Sequence, residues 1–295
     1  MSHTPLSSLG ENAILQRLLQ SPPTNSGIIT GPGDDCAVVA RDAAWDTLLK
    51  TDVVVENMHF TPDTDPERIG RKALARAVSD IAAMGGIPEH ALITLLSHPS
   101  RPVELLEGIY RGIGMLATRF NISLAGGETS SLPYDGLVIN VALTGRVEHG
   151  RAVLRSGGKP GDLLFVSGLL GGSFPSGWHL DFEPRIELAR GLLEAGITPS
   201  AMMDLSDGLG TDLPRLAAAS GCGFEIDEKK LPCRPGFSVE DAVSHGEDYE
   251  LLLALPPDKL QILANSPFAS HLHNIGHLTP GFTSEITAGW QHFKS

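Results

Sequence analysis

The side chains with the greatest chemical potential are carboxylates that stand beside glycines or interrupt apolar segments. The first group is Gly31-Pro32-Gly33-Asp34-Asp35, in which glycines allow a tight turn and two carboxylates precede an apolar stretch. Asp52 interrupts a strand-like run, Asp80 lies in a helix-like segment, and Asp204 and Asp207 frame a predicted helix start. Carboxylates can hold magnesium ions, and magnesium can hold phosphate oxygens. The pattern therefore favours a magnesium-dependent phosphate-binding cleft.

Each acidic group also has a purely structural explanation. Asp35 could simply be a turn residue, because aspartate is common in turns. Asp52 could lie on the solvent-facing side of a strand that has one face exposed. Ser206 or Asp207 could simply cap the N-terminus of a helix. Asp80 is more informative, because it projects within roughly 20° of Ile69 on the apolar arc of its helix. A carboxylate there needs a cation or a donor, although a local salt bridge would also suffice.

Other polar segments could complete such a cleft. Gly126-Gly127-Glu128 is expected at the end of a short strand, where bare backbone could approach a phosphate, although a hairpin turn is the alternative. Arg151, Arg155 and Lys159 form a compact basic cluster that could meet nucleotide phosphates or lie on a solvated surface. Glu247 stands in an acidic turn before an apolar strand. The sequence contains neither a G-x-x-x-x-G-K-[ST] loop nor a protein-kinase catalytic loop, so a nucleotide would need another cradle.

Composition limits the class of protein. The 295 residues are 41% hydrophobic and carry a formal net charge of −13, which indicates a folded chain and argues against nucleic-acid binding. Three cysteines lack metal-site spacing and are expected to be reduced. We find no leader-like N-terminus and no apolar stretch of transmembrane length, so a cytoplasmic location is expected and membrane partners are not.

The elements that must position these groups follow a mixed α/β pattern, and the chain is long enough for two domains. The boundary is expected where composition shifts, giving domains at 1–150 and 151–295. Predicted helices cover about 11–20, 66–84, 103–120, 185–195, 209–220 and 257–265. Predicted strands cover about 47–55, 91–96, 122–124, 137–145, 163–166, 224–226, 249–255, 274–278 and 284–287.

Seven motifs in this order resemble thiamine-monophosphate kinase, within the superfamily of aminoimidazole-ribonucleotide synthetase and selenophosphate synthetase. They are GPGDD, TDVVVENMHF, VSDIAAMGG, AGGETS, GRAVLRSGGKPGD, DLSDGL and HGEDYEL. Each motif is weak alone, but their order and spacing over nearly the whole chain form a specific signature.

The resemblance implies a two-domain, mixed α/β fold of the aminoimidazole-ribonucleotide-synthetase type, with N-terminal domains pairing in a homodimer. It implies direct transfer of the ATP γ-phosphoryl group to thiamine monophosphate, giving thiamine diphosphate and ADP. Several Mg²⁺ ions would assist in a cleft between the domains. No general base is assigned, because the acceptor is itself a largely ionised phosphate.

The resemblance also implies roles for individual residues. The expected magnesium ligands are Asp35, Thr51, Asp52, Asp80, Glu128, Asp204 and Asp207. The expected ATP contacts are Gly127, Arg155 and Ser206. The expected substrate contacts are His59, Glu247 and Trp290, with Trp290 placed to stack on a thiamine ring.

The chain departs from the family pattern at several positions. Glu128 stands where the family has aspartate, Ala77 where asparagine is usual, and His245 in place of a glycine. The segment 171–184 is short and is expected to lack the family's helix. Two alternatives therefore stand beside the kinase: another ATP-dependent enzyme of the superfamily, or a nucleotide-binding protein that has lost catalysis.

Overall fold

A computed structural model describes residues 6–8, 11–19, 23–281 and 286, and within these ranges the chain forms two β-sheets with helices against them. The first sheet has six strands in the order β1-β2-β3-β6-β4-β5, antiparallel except for the parallel pair β4–β5. Its strands are β1 (Ile28–Thr30), β2 (Ala37–Ala40), β3 (Trp45–Val55), β4 (Ile87–Ser97), β5 (Ser123–Ser131) and β6 (Leu137–Glu148).

The second sheet is antiparallel and has five strands in the order β8-β10-β7-β11-β9. Apolar side chains cover both of its faces, so that alternate residues of β10 enter two different hydrophobic clusters. This explains why β10 reads as an unbroken apolar run. The strands are β7 (Leu163–Val166), β8 (Ala201–Asp204), β9 (Gly223–Ile226), β10 (Leu251–Leu255) and β11 (His273–Thr279).

Helices separate and cover the sheets. Those of the first half are α1 (Glu11–Leu18), α2 (Pro66–Ala83) and α3 (Val103–Arg119). Those of the second half are α4 (Ser173–Ser176), α5 (Trp178–Asp181), α6 (Ile186–Glu194), α7 (Leu209–Ala219), α8 (Val239–Ser244) and α9 (Leu260–Ala264). No helix in these described segments has the length and apolar character needed to cross a bilayer.

Helix α2 is the central element of the core. It contacts β3 and β6 of the first sheet on one side, and β8, α5 and α6 of the second half on another. Its start follows local rules, because Asp65 accepts hydrogen bonds from the backbone N–H groups of Glu67 and Arg68, with Pro66 in the first turn. Gly85, at a φ of 69°, ends it. The predicted helix is confirmed, and its position between the halves buries Asp80.

Several predicted elements differ from the structure. The strand expected at 122–124 extends to Ser131, so Gly126 and Gly127 lie within an edge strand and not at a strand end or in a hairpin. Pairing with β4 overrides the weak strand preference of glycine, and a Cβ at Gly127 would lie 1.8 Å from the Ile93 carbonyl oxygen.

The remaining differences concern short elements. Strand β8 was not predicted, because a four-residue strand gives too little alternation to read. The segment expected to lack a helix contains α4 and α5, each of four residues. The helix expected at 257–265 begins as a 3-10 turn, Pro257–Lys259, before α9. Most of the strand expected at 284–287 lies outside the described residues.

Helices α2 and α3 touch through a reciprocal pair of glycines. A Cβ on Gly70 would lie 1.9 Å from the Ile109 carbonyl oxygen, and one on Gly112 would lie 1.8 Å from that of Glu67. These distances leave no room for a methyl group, so the helix spacing depends on both glycines.

We expect Gly112→Ala to lower the free energy of unfolding by about 2 kcal/mol, because the added methyl group forces α3 away from α2. Gly114→Ala is the matched control, since nothing lies within 4 Å of its Cβ position on the same helix. That variant should be neutral or slightly more stable. Thermal and urea unfolding of both variants would measure the difference, and equal stabilities would contradict the close contact.

Candidate functional site

A cavity of about 1440 Å³ opens between the two halves, and most of the predicted site residues line it. Helix α2 and strand β3 contribute from the first half, and the loops that follow β8 and precede β10 contribute from the second. The predicted residues that line it are Thr51, Asp52, His59, Asp80, Arg155, Asp204, Ser206, Asp207 and Glu247.

Three buried carboxylates, those of Asp35, Asp80 and Asp204, converge on one point, and Asp80 and Asp204 also line this cavity. One oxygen from each lies within 4.8 Å of the others. Asp35 follows the turn at Gly33, Asp80 lies on α2, and Asp204 ends β8, so both halves contribute. Ser79 donates a hydrogen bond to Asp204 over 2.6 Å.

The electrostatics of this cluster favour a bound cation. Burial and the neighbouring carboxylates raise the pKa of Asp80, and burial together with Asp35 raises the pKa of Asp204 to about 7. Oxygen ligands of this kind suit a hard divalent ion, so the residues present fit magnesium. Such an ion would relieve both the burial penalty and the mutual repulsion.

Basic side chains of the protein already pair with several of the acids. Lys50 Nζ lies 2.6 Å from Asp80, and Arg155 donates to Asp35 over 2.6 Å. Arg76 and Arg215 likewise form salt bridges with two other predicted magnesium ligands, Asp52 and Asp207. The pairs are Arg76–Asp52 at 3.1 Å and Arg215–Asp207 at 2.5 Å.

Sequence reasoning missed Lys50, Arg76 and Arg215, although spacing carried a signal for two of them. Lys50 precedes Asp52 by two residues and therefore shares its strand face. Arg76 precedes Asp80 by four residues and therefore lies near it on α2. Arg155 was predicted to contact ATP, and the structure places its guanidinium against Asp35 at the cavity wall.

A second polar group surrounds Glu247 at another part of the cavity. Lys72 is completely buried and donates to the Glu247 carboxylate over 2.7 Å and to the His59 carbonyl oxygen over 2.5 Å. Its Nζ also lies 2.7 Å from His179 Nδ1, and Tyr249 donates weakly to Glu247 over 3.4 Å. Lys72, His179 and Tyr249 were not predicted as site residues.

Burial and charge set the ionisation of this second group. Burial would raise the pKa of Glu247, but the His179 hydrogen bond and the charges of Lys72 and Arg76 lower it to about 2. Burial lowers the pKa of Lys72 to about 8. Burial and the nearby Arg76 lower the pKa of His59 to about 4, so this ring is neutral at pH 7. Its Nδ1 accepts a hydrogen bond from the Val55 N–H.

Two of the predicted residues that the structure describes lie away from this cavity. Gly127 and Glu128 lie exposed on β5, and strands β4 and β6 separate β5 from β3. Neither residue is part of the cavity lining, so the structure does not bring them together with the other predicted site residues. Trp290 lies outside the described residues.

Comparisons with known proteins match both halves of the chain. A family model for the N-terminal domain of AIR synthase related proteins matches residues 33–147, and the corresponding C-terminal model matches residues 162–288. The thiamine-monophosphate kinase of Rhodopirellula baltica is 34% identical, covering 84% of this chain and 83% of that protein. The Bacillus subtilis thiamine-monophosphate kinase is 33% identical, covering 92% of this chain and 95% of that protein.

A solved structure, AaThiL complexed with AMPPCP and TMP, superposes with a TM-score of 0.85 at 30% identity. The match covers 99% of this chain and all of that chain. These similarities confirm the predicted mixed α/β fold of the aminoimidazole-ribonucleotide-synthetase type and the resemblance on which it was based.

The pKa of Glu247 predicts how stability depends on pH. Because folding lowers this pKa from 4.5 to about 2, the carboxylate contributes roughly 3 kcal/mol above pH 4.5. That contribution is lost as pH falls from 4.5 towards 2. Glu247→Gln should therefore be less stable than the unmodified protein above pH 4.5, and the difference should shrink at lower pH.

Thermal unfolding of both proteins between pH 2.5 and pH 7 would measure this difference. The matched control is Glu240→Gln, which changes an exposed glutamate on α8. The control should follow the unmodified protein at every pH. A difference for Glu247→Gln that is independent of pH would contradict a carboxylate held ionised by Lys72 and Arg76.

Proposed function

The chain belongs to the thiamine-monophosphate kinase family, and from this premise we propose that it transfers the γ-phosphoryl group of ATP to thiamine monophosphate. The products are thiamine diphosphate and ADP. The single observation that carries the proposal is the convergence of Asp35, Asp80 and Asp204 beside a cavity between two halves, which match the N-terminal and C-terminal domains of AIR synthase related proteins.

The acidic residues have the chemistry to hold several Mg²⁺ ions. Asp35, Asp80 and Asp204 would be the buried ligands, with Asp52, Asp207 and the Thr51 hydroxyl at the cavity wall. Magnesium bound there would neutralise the negative charge that spreads over the transferring phosphoryl group. We retain Glu128 as a proposed ligand only within the dimer described below.

The remaining polar residues would bind and orient the two substrates. Arg155 and Ser206 would contact ATP, since both line the cavity beside the acid cluster. His59 and Glu247 would contact thiamine monophosphate, and Trp290 would stack on its ring. Buried Lys72 fixes the Glu247 carboxylate, so that group is in place before substrate arrives. The acceptor phosphate is largely ionised at neutral pH, and no side chain needs to remove its proton.

We also propose the division of the chain into two domains and a cytoplasmic site of action. Residues 1–150 would form the ATP-binding, magnesium-binding and dimerisation domain, and residues 151–295 would complete the cleft. The sheet boundaries support this division, because β6 ends at Glu148 and β7 begins at Leu163. A cytoplasmic enzyme would have direct access to ATP and magnesium.

A homodimer formed by the N-terminal sheets is the proposed assembly. The sheet face opposite α2 exposes Leu49, Val53 and Leu92, and every residue of the edge strand β5 is exposed. An exposed apolar sheet face beside an open edge is typical of an interface. Pairing there would cover β5 and bring Gly127 and Glu128 to the subunit interface.

Formation of ADP tests the proposed reaction. ADP should appear only when ATP, Mg²⁺ and thiamine monophosphate are all present, and thiamine diphosphate should form in equal amount. Asp80→Asn and Asp207→Asn should each lower turnover at least about 100-fold, because magnesium requires charged oxygen ligands. Asp258→Asn, at an exposed position, is the control and should keep full turnover.

Two results would reject this assignment. Turnover with a different small acceptor, but not with thiamine monophosphate, would indicate another enzyme of the superfamily. ATP binding measured by calorimetry without any turnover would indicate a nucleotide-binding protein. Near-normal turnover in both aspartate variants, with unchanged thermal unfolding, would reject the metal cluster.

Sedimentation equilibrium tests the dimer. We expect a dimer for the unmodified chain and a monomer for Leu92→Glu, because a charge on the covered sheet face opposes pairing. Val103→Glu is the matched control, since Val103 is also exposed but lies on α3, away from that face. A dimer that persists unchanged in Leu92→Glu would reject this interface.

A further inference from the structure

Lys50 places a positive charge inside the acid cluster. The residue lies on β3, and its side chain follows the strand face of Asp52 towards α2. Its Nζ lies 2.6 Å from the Asp80 carboxylate and lines the cavity, with the side chain about one-fifth exposed. Lys50 therefore stands at the cavity wall, in contact with one of the three clustered carboxylates.

Charge balance shows what this lysine does to the cluster. Asp35, Asp80 and Asp204 carry three formal negative charges when ionised. Arg155 pairs with Asp35 and Lys50 pairs with Asp80, so one negative charge remains. A divalent ion that binds beside Asp80 must therefore share this carboxylate with an ammonium group, which weakens its attraction to the site.

The hydrogen-bonding capacity of Lys50 points to a ligand. An ammonium group has three donors. Within the described residues, Asp80 is the one hydrogen-bond acceptor for Nζ, and the group faces the cavity. At least one donor is thus available to a phosphate oxygen, for which lysine is a suitable point charge.

We propose that Lys50 is a built-in cation of the phosphate-binding cleft, which takes the place of one divalent ion beside Asp80 and donates a hydrogen bond to a nucleotide phosphate. This deepens the proposed kinase function and rests on it for the identity of the nucleotide. It also explains why a predicted metal ligand is paired with lysine in the structure. The lysine acts by binding, and no covalent step is involved.

Binding of Mn²⁺ and the ATP analogue AMPPCP tests this role without turnover. The protein variants are Lys50→Met and Lys50→Gln, which remove the charge, and Lys50→Arg, which keeps it. We expect the two neutral variants to bind one more Mn²⁺ ion, or to bind Mn²⁺ at least tenfold more tightly, as measured by electron paramagnetic resonance. Lys50→Arg should bind the same number of ions as the unmodified protein.

AMPPCP binding provides the second readout. At limiting Mn²⁺, the neutral variants should bind AMPPCP at least tenfold more weakly, and added Mn²⁺ should restore binding. Lys230→Met is the matched control, because Lys230 lies on the exposed surface and pairs with the neighbouring Asp227, away from the cavity lining. It should match the unmodified protein in both assays.

The proposal fails if both neutral variants match the unmodified protein in Mn²⁺ number, Mn²⁺ affinity and AMPPCP affinity. It also fails if Lys50→Arg behaves like the neutral variants, since the charge would then not be the cause. Thermal unfolding identifies any variant that is not folded, and the other neutral variant then decides the test. If the unmodified protein shows no turnover with thiamine monophosphate, the proposed kinase function fails, but the binding results still decide the role of Lys50 because they do not depend on turnover.

Discussion

Burial of several carboxylates close together is the constraint on which the rest of the structure depends. Asp35, Asp80 and Asp204 gain little solvation from bulk water, and each raises the cost of ionising the others. Basic side chains from different elements pair with these carboxylates and thereby reduce the cost of ionising them. Lys50 comes from β3, and Arg155 comes from the segment between the sheets.

Helix α2 makes this arrangement possible because it faces both halves of the molecule. It carries Lys72, Arg76 and Asp80, so the two polar groups of the cavity share one rigid support. The distance between the acid cluster and the Glu247 group is thereby fixed by helix geometry. Close packing through Gly70 and Gly112 holds α2 against α3 and so fixes the position of α2 relative to the cavity.

The sequence predicted those features that depend on local signals. The bounds of α2 followed from Pro66 and Gly85, and the acidic motifs indicated most of the cavity wall. Features that depend on tertiary pairing were not predicted. The length of β5 follows from its parallel contact with β4, and the Lys50–Asp80 pair forms only because β3 and α2 face each other. The position of Glu128 away from the cavity also depends on tertiary pairing, because the order of strands in the sheet places β5 at its edge. No single motif predicts that order.

The mixed origin of the acid cluster has a consequence for assembly of the protein itself. Asp35 and Asp80 belong to the half built on the first sheet, whereas Asp204 ends a strand of the second. Neither half alone presents all three carboxylates, so the cluster forms only where the two halves are docked. Ligands that bind only the complete cluster must stabilise the docked halves by mass action.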